Sequence, residues 1–264
     1  MILVFGLAAC TPNPTSQVSG TILPSTLSPT RPSTLTPTLF PTPHLTPTLT
    51  HSPTPTEQST PITVCSPLAV LTLEQIPQYI TQPFIAPSPV HNAEHPEWVH
   101  KDDGHQGTDI GYYQIDSKLF TGTPVLAALN GRIAAIIHDR PPYGNMLIVE
   151  TSFDNIPPVL IEKQQISTGS SLYTLYAHLQ NLQKLNIGDP VPCGQQIAET
   201  GLTGFTGGPH LHFETRWGPP GQTFASMAYY RADATKQEME NYTIWRMTAT
   251  FHLFDPMQLL KLKG

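Results

Sequence analysis

Gly207-Gly208-Pro209-His210-Leu211-His212-Phe213-Glu214 is the stretch whose reading decides the rest of this chain. Glycine and proline lead into an extended run, and side chains along an extended strand alternate with period two. His210, His212 and Glu214 therefore share one face. Two imidazoles on one face can divide the work of a metal site, one binding the ion and the other handling protons beside it. Far upstream stands Gly104-His105-Gln106-Gly107-Thr108-Asp109, an H-x-x-x-D element. Gly104 and Gly107 argue against a helix there. His, Asp and His make a three-ligand set that leaves a fourth zinc position open, the arrangement of a catalytic site. No H-E-x-x-H supplies a glutamate base, so proton transfer falls to other groups.

Outward from this stretch, short runs rich in Val, Ile, Leu, Thr and Tyr recur between Gly, Pro and Asn: 125–129, 132–137, 146–150, 172–176, 195–200 and 211–215. Helical signals are few. The pattern predicts a mostly β, antiparallel domain.

A third element, Leu175-Tyr176-Ala177-His178-Leu179, lies between the first two. H-x-G-x-D, Y-A-H-L and G-P-H-L-H-F-E in that order resemble the lysostaphin/LytM-type zinc metalloendopeptidases, which cut peptidoglycan peptides. Landmarks between them agree: Thr123-Pro124-Val125, Asn130-Gly131-Arg132, Tyr143-Gly144-Asn145, Gly188-Asp189-Pro190-Val191 and Gly201-Leu202-Thr203-Gly204. The resemblance covers 104–216. It implies an antiparallel β-sheet or sandwich of the duplicated hybrid motif type. It implies Zn²⁺ held by His105, Asp109 and His212, with His178 and His210 as catalytic groups. Glu214 is expected as an outer partner of a ligand imidazole or in strand pairing. Tyr112 and Tyr113 follow the first ligand pair, with packing the expected role. His44, His51, His91, His95, His100, His138 and His252 are expected to ligate nothing. His91, His95 and His100 sit in an upstream loop whose other reading is an inhibitory ligand. Beyond the family core, 151–170 reads as an enlarged hairpin loop. The stretch 217–250 reads as an insertion with a short helix at 233–239.

The implied activity is hydrolysis of peptide bonds in peptidoglycan stems or cross-bridges. The alternative is a non-catalytic peptidoglycan-binding activator of another wall hydrolase on the same fold. Activators of that kind have lost ligands, whereas all five positions are filled here. A cytosolic histidine phosphocarrier or biotinyl carrier would need neither the H-x-x-x-D partner nor an export signal.

The ends of the chain suggest where this happens. Residues 1–9 are apolar and too short to span a bilayer. Leu7-Ala8-Ala9-Cys10 resembles a lipobox, in which Cys10 is lipidated, although no Lys or Arg precedes it. From 11 to 64 the chain is mainly Thr, Pro and Ser, with Arg31 and Glu57 its only charges. Such composition cannot offset chain entropy and reads as a disordered, polyproline-rich stalk. At ~3.1 Å per residue it could reach well over 100 Å. The division is thus a signal segment at 1–10, a linker at 11–64 and a metallopeptidase domain at 65–264. The expected location is extracytoplasmic, lipid-anchored to the bacterial envelope. With Cys10 lipidated, Cys65 and Cys193 remain as either a disulfide or two free thiols, since spacing does not set their separation. The net charge of -6 offers no basic stripe for nucleic acid.

Overall fold

The computed structural model describes residues 62–87, 102–111, 114–115 and 118–262. The signal segment, nearly all of the linker, Tyr112, Tyr113 and the histidines at 44, 51, 91, 95 and 100 lie outside the described residues. Among the described residues, no helix is long and apolar enough to cross a membrane.

In chain order the strands begin with β1 (Ile80–Gln82), β2 (Thr108–Ile110), β3 (Gln114–Ile115), β4 (Lys118–Leu119), β5 (Pro124–Leu126), β6 (Gly131–Arg140) and β7 (Gly144–Ser152). They continue with β8 (Ser171–Ala177), β9 (Leu179–Gln180), β10 (Pro190–Val191), β11 (Gln196–Thr200), β12 (Leu211–Gly218) and β13 (His252–Phe254). The helices are α1 (Pro158–Gln164), α2 (Lys236–Arg246) and α3 (Met257–Leu260). The fold is mostly antiparallel β. One sheet runs β1-β2-β12-β8-β7-β6-β10, with β13 also on β12, and β5-β11-β9 form a second. The six expected strands all appear, and β12 runs past the expected 215 to Gly218 because β8 pairs with it as far as Gly218, with β13 on its other side at 215–217.

The central strands bury both faces, and their side chains separate with period two. Leu147, Val149, Leu172, Tyr176, Leu211 and Phe213 enter one core, with Val125, Leu179 and Ile197 of the small sheet and Leu160 of α1. Met146, Ile148, Tyr173, Leu175 and Ala177 enter the other, with Phe224, Tyr242, Trp245 and Phe251. The 217–250 stretch therefore does more than edge the site: its middle and end cover the second face of the central sheet. Trp245 and Phe251 meet Tyr173 edge-on, at centroid distances of 6.4 and 5.2 Å. Such aromatic contacts add about 0.5–1.5 kcal/mol beyond burial.

The expected helix at 233–239 is instead the eleven-residue α2, beginning at Lys236. Thr235 is its N-cap, in a capping box with Glu238. Asp233 is drawn outward by Arg231, at 2.6 Å. Arg140 of β6 grips Glu238 through two hydrogen bonds of 2.7 and 2.6 Å, tying the helix start to the sheet. The 151–170 connection between β7 and β8 is an enlarged hairpin, as expected, and carries α1.

Cys65 and Cys193 are joined as a disulfide, Cα atoms 5.7 Å apart and 128 residues apart in sequence. It staples the start of the described chain to the turn before β11, beside buried Val64 and Leu68. Closing so long a loop restricts the unfolded chain. The Cys65→Ser/Cys193→Ser protein is therefore expected to lose about 2–4 kcal/mol in urea denaturation; equal midpoints for both proteins would contradict this.

Candidate metal centre

Strand register builds the centre. Asp109 of β2 stands directly opposite His212 of β12, so the two side chains rise from one face at neighbouring positions. His105 is held four residues before Asp109 by a reciprocal backbone pair with Ile85, both bonds 2.9 Å. Gly107 makes the close approach possible: a Cβ there would lie 2.6 Å from Cε1 of His212.

Three atoms converge. His105 Nε2 lies 3.1 Å from Asp109 Oδ1 and 3.2 Å from His212 Nδ1, and His212 Nδ1 lies 2.8 Å from the same Oδ1. Tetrahedral bonds of ~2.0–2.1 Å place ligand atoms ~3.3 Å apart, close to these spacings. The outer nitrogens are engaged elsewhere. His105 Nδ1 donates to Pro83 O at 2.9 Å, and His212 Nε2 lies 3.1 Å from Glu214 Oε1. With a cation in place of the inner protons, the outer nitrogens remain donors and both rings turn lone pairs inward beside the carboxylate oxygen. Such a set of acceptors fits a cation, and the residues present suit zinc. Among the described residues this trio is the His/Cys/Asp/Glu group with metal-ligand spacing.

Electrostatics agree. Burial alone would raise the Asp109 pKa, but hydrogen bonds from His105 and His212 outweigh it and hold the carboxyl far below the usual range. Burial likewise opposes charge on His212, yet bonding to Asp109 and Glu214 lifts it to about 9 without metal.

His178 and His210 flank the trio, ring centroids 4.8 Å apart. His178 follows Ala177, the partner of His212 across the sheet, and leaves β8 with φ of 60°. Its Nδ1 donates to Thr203 O at 2.8 Å, and His210 Nδ1 donates to Gly208 O at 3.0 Å. In each neutral ring Nε2 then carries the lone pair. Burial, reinforced by the neighbouring His212, depresses the His178 pKa to about 3, and burial also lowers that of His210. Both are neutral near pH 7. The Thr203 carbonyl owes its place to two glycines back to back. Gly144 and Gly204 adopt φ of 70° and 76°, and a Cβ on Gly144 would fall 2.4 Å from Gly204 N. Thr203 Oγ1 accepts from Asn145 N and donates to Leu179 O, both at 2.9 Å.

All five sequence-picked residues line one cleft of about 300 Å³, walled by Phe205, Thr206, Tyr230 and Tyr242. A larger groove of about 580 Å³ at Asn130, Arg132, Glu150 and Pro190 contains none of them. His252 instead stacks on Trp217, centroids 3.9 Å apart, and takes no part.

Glu214 proves more than an outer acceptor. Fully buried, it receives Tyr143 Oη at 2.6 Å, Trp245 Nε1 at 2.9 Å, Arg216 Nη2 at 2.9 Å and Arg246 Nη1 at 3.3 Å. Burial opposes its charge, but Arg216, His212 and Arg246 together keep it ionised. Sequence reading missed these partners. Arg216 could have been found by carrying the period-two count two residues past Glu214; Trp245 and Arg246 leave no local signal.

A largely buried His-Asp-His trio beside two neutral imidazoles on an antiparallel sheet suits a metal ion with proton-handling groups next to it. Residues 160–224 match the model of Peptidase family M23. The match holds His178, His210 and His212; Asp109 of β2 and His105, four residues before it, lie outside it. Cell division protein DipM of Caulobacter vibrioides is 31% identical over 98 residues, 37% of this chain and 13% of that protein. A zinc-containing peptidase from Vibrio cholerae is 29% identical, covering 52% of this chain and 32% of its own, with a TM-score of 0.32. The catalytic domain of lysostaphin from Staphylococcus simulans is 21% identical, covering 72% of this chain and 98% of its own, with a TM-score of 0.40. The chain thus spans a small part of the first two relatives.

His105→Ala, Asp109→Ala and His212→Ala are each expected to lose bound metal, because each removes one of three protein ligands. Gly107→Ala should weaken metal binding about tenfold or more by displacing His212. Elemental analysis and chelator competition measure both; full occupancy in the three ligand variants would refute the assignment.

Proposed function

We propose that this domain is a zinc-dependent endopeptidase that hydrolyses peptide bonds of bacterial peptidoglycan. One observation carries the reading: three converging metal-ligand atoms share a cleft with two imidazoles whose Nδ1 atoms are already committed to backbone carbonyls. Bound at His105, Asp109 and His212, zinc supplies Lewis acidity to the scissile carbonyl and to the attacking water.

The protein's own groups do the rest. His210 lies closer to the ligands, its Nε2 3.4 Å from Asp109 Oδ2. As a neutral acceptor there, it takes the proton of the attacking water and returns it to the leaving amine. His178, neutral with its lone pair on Nε2, accepts a hydrogen bond and orients that water. Burial keeps both rings uncharged, which preserves the lone pairs that the reaction uses. Glycoside hydrolysis usually needs two working carboxylates. The carboxylates lining this cleft are Asp102 and Asp109: Asp109 is committed to the ligand histidines and Asp102 to Arg246.

The location proposed is extracytoplasmic. The Cys65–Cys193 disulfide suits an oxidising compartment. The lipobox-like Leu7-Ala8-Ala9-Cys10 supports anchoring through a lipidated Cys10, with the Pro/Thr/Ser linker as a spacer. In a bacterial host with a complete signal, the protein is expected in the membrane fraction and Cys10→Ser outside it. Mass spectrometry finding Cys10 unmodified there would sink the anchor.

The substrate is tested on purified sacculi. Free amino groups should rise while reducing sugar ends stay constant. His178→Ala and His210→Ala should keep their zinc and lose ~10²–10⁴-fold in rate. New reducing ends without new amines would overturn the reading. Zinc-loaded protein with no hydrolysis would favour the activator alternative.

A further inference from the structure

Arg246, at the last position of α2, reaches both segments that carry the metal ligands. Its Nε donates to Asp102 Oδ1 at 2.5 Å, and Asp102 lies three residues before His105. Its Nη1 lies 3.3 Å from Glu214 Oε1, the oxygen that meets His212 Nε2. The same Nη1 donates to Tyr143 Oη at 3.0 Å, and Tyr143 in turn donates to Glu214. Asp102 is further held by the Tyr242 hydroxyl, at 2.9 Å, and by the Tyr230 hydroxyl. Arg246 is 9% exposed and Glu214 fully buried.

We propose that Arg246 is a positioning residue that sets the geometry of the metal site by joining, through Asp102 and Glu214, the two segments that carry its ligands. The inference rests on reading His105, Asp109 and His212 as a metal site, and it assigns a task to α2. The helix is fixed at its start by the capping box and by Arg140 of β6. Trp245, buried against Tyr173 and Phe251, fixes its end. The guanidinium is thus held relative to the central sheet, not to a free loop. A rigid planar fork can serve two carboxylates on two sides at once, which a lysine ammonium cannot do from the same backbone position. Arg216, also on Glu214, contacts Gln106 at 2.6 Å and so reinforces the same junction from within the sheet. Outer partners of ligand groups orient the ligands, and their loss lowers metal affinity.

The test uses the full chain and the variants Arg246→Lys, Asp102→Ala and their combination. Zinc affinity is read by chelator competition, ligand geometry by the visible spectrum of the Co²⁺-substituted protein, and folding by urea denaturation. Arg246→Lys and Asp102→Ala should each weaken zinc by ~10–100-fold and alter the Co²⁺ spectrum, with cooperative unfolding retained. The double variant should be no weaker than Arg246→Lys alone, because both act through one junction. Wild-type affinity and spectrum in Arg246→Lys, or additive losses in the double variant, would overturn the proposal. Should Arg246→Lys fail to fold, unchanged affinity and spectrum in Asp102→Ala would overturn it just as well. A wild-type chain that binds no metal would overturn the metal site itself and this inference with it, whereas wild-type metal with unaffected variants removes only the arginine's role.

Discussion

A single buried carboxylate, that of Glu214, constrains most of the surrounding structure. An ion taken fully out of water costs several kcal/mol unless its lone pairs are satisfied. Glu214 is satisfied by His212, Tyr143, Arg216, Trp245 and Arg246, which come from β12, from the β6–β7 turn and from α2. Each donor must arrive from a different direction, so the register of β12, the position of that turn and the end of α2 are set together. The network leaves few choices for His212: with Nε2 turned to Glu214, its Nδ1 faces the cleft.

The same logic runs through the other histidines. His105, His178 and His210 each spend Nδ1 on a backbone carbonyl, at Pro83, Thr203 and Gly208. Backbone carbonyls only accept, so they fix the tautomer as well as the ring orientation. The result is a cleft into which nitrogen lone pairs project. Those of His105 and His212 meet at Asp109, and those of His178 and His210 stand beside the trio. The proposed division between metal holding and proton handling rests on this placement: His105 and His212 share Asp109 Oδ1, whereas His178 stands apart with its Nδ1 on the 201–204 turn.

The two-sided burial of the central sheet explains why the connecting segments are long. A sheet with one face on a core and one in water needs little more than hairpins. Here Tyr173, Leu175, Ile148 and Met146 form an apolar second face beside Glu214 and Arg216. The 217–250 stretch covers that face with Phe224, Tyr242 and Trp245, and in doing so excludes water from the Glu214 network. Low local polarity strengthens every charge-assisted bond in it.

The five cleft residues were legible in the sequence because each lies in a short element whose spacing has a local meaning. His210 and His212 sit at period two, His105 and Asp109 in one glycine-flanked run, and His178 at a strand end. The antiparallel β class was legible for the same reason, since alternation and turn residues are local. The exact helix was not: 233–239 reads as helical, but the Thr235–Glu238 capping box sets the start at Lys236. The disulfide was open at sequence level, since only the fold brings Cys65 and Cys193 within 5.7 Å between Cα atoms. Arg246 and Trp245 were invisible, thirty or more residues from Glu214 and with no periodic relation to it. Local spacing determines which side chains share a strand face; which distant side chain neutralises a buried charge is decided only when the chain packs, because desolvation acts on whatever the tertiary fold brings together.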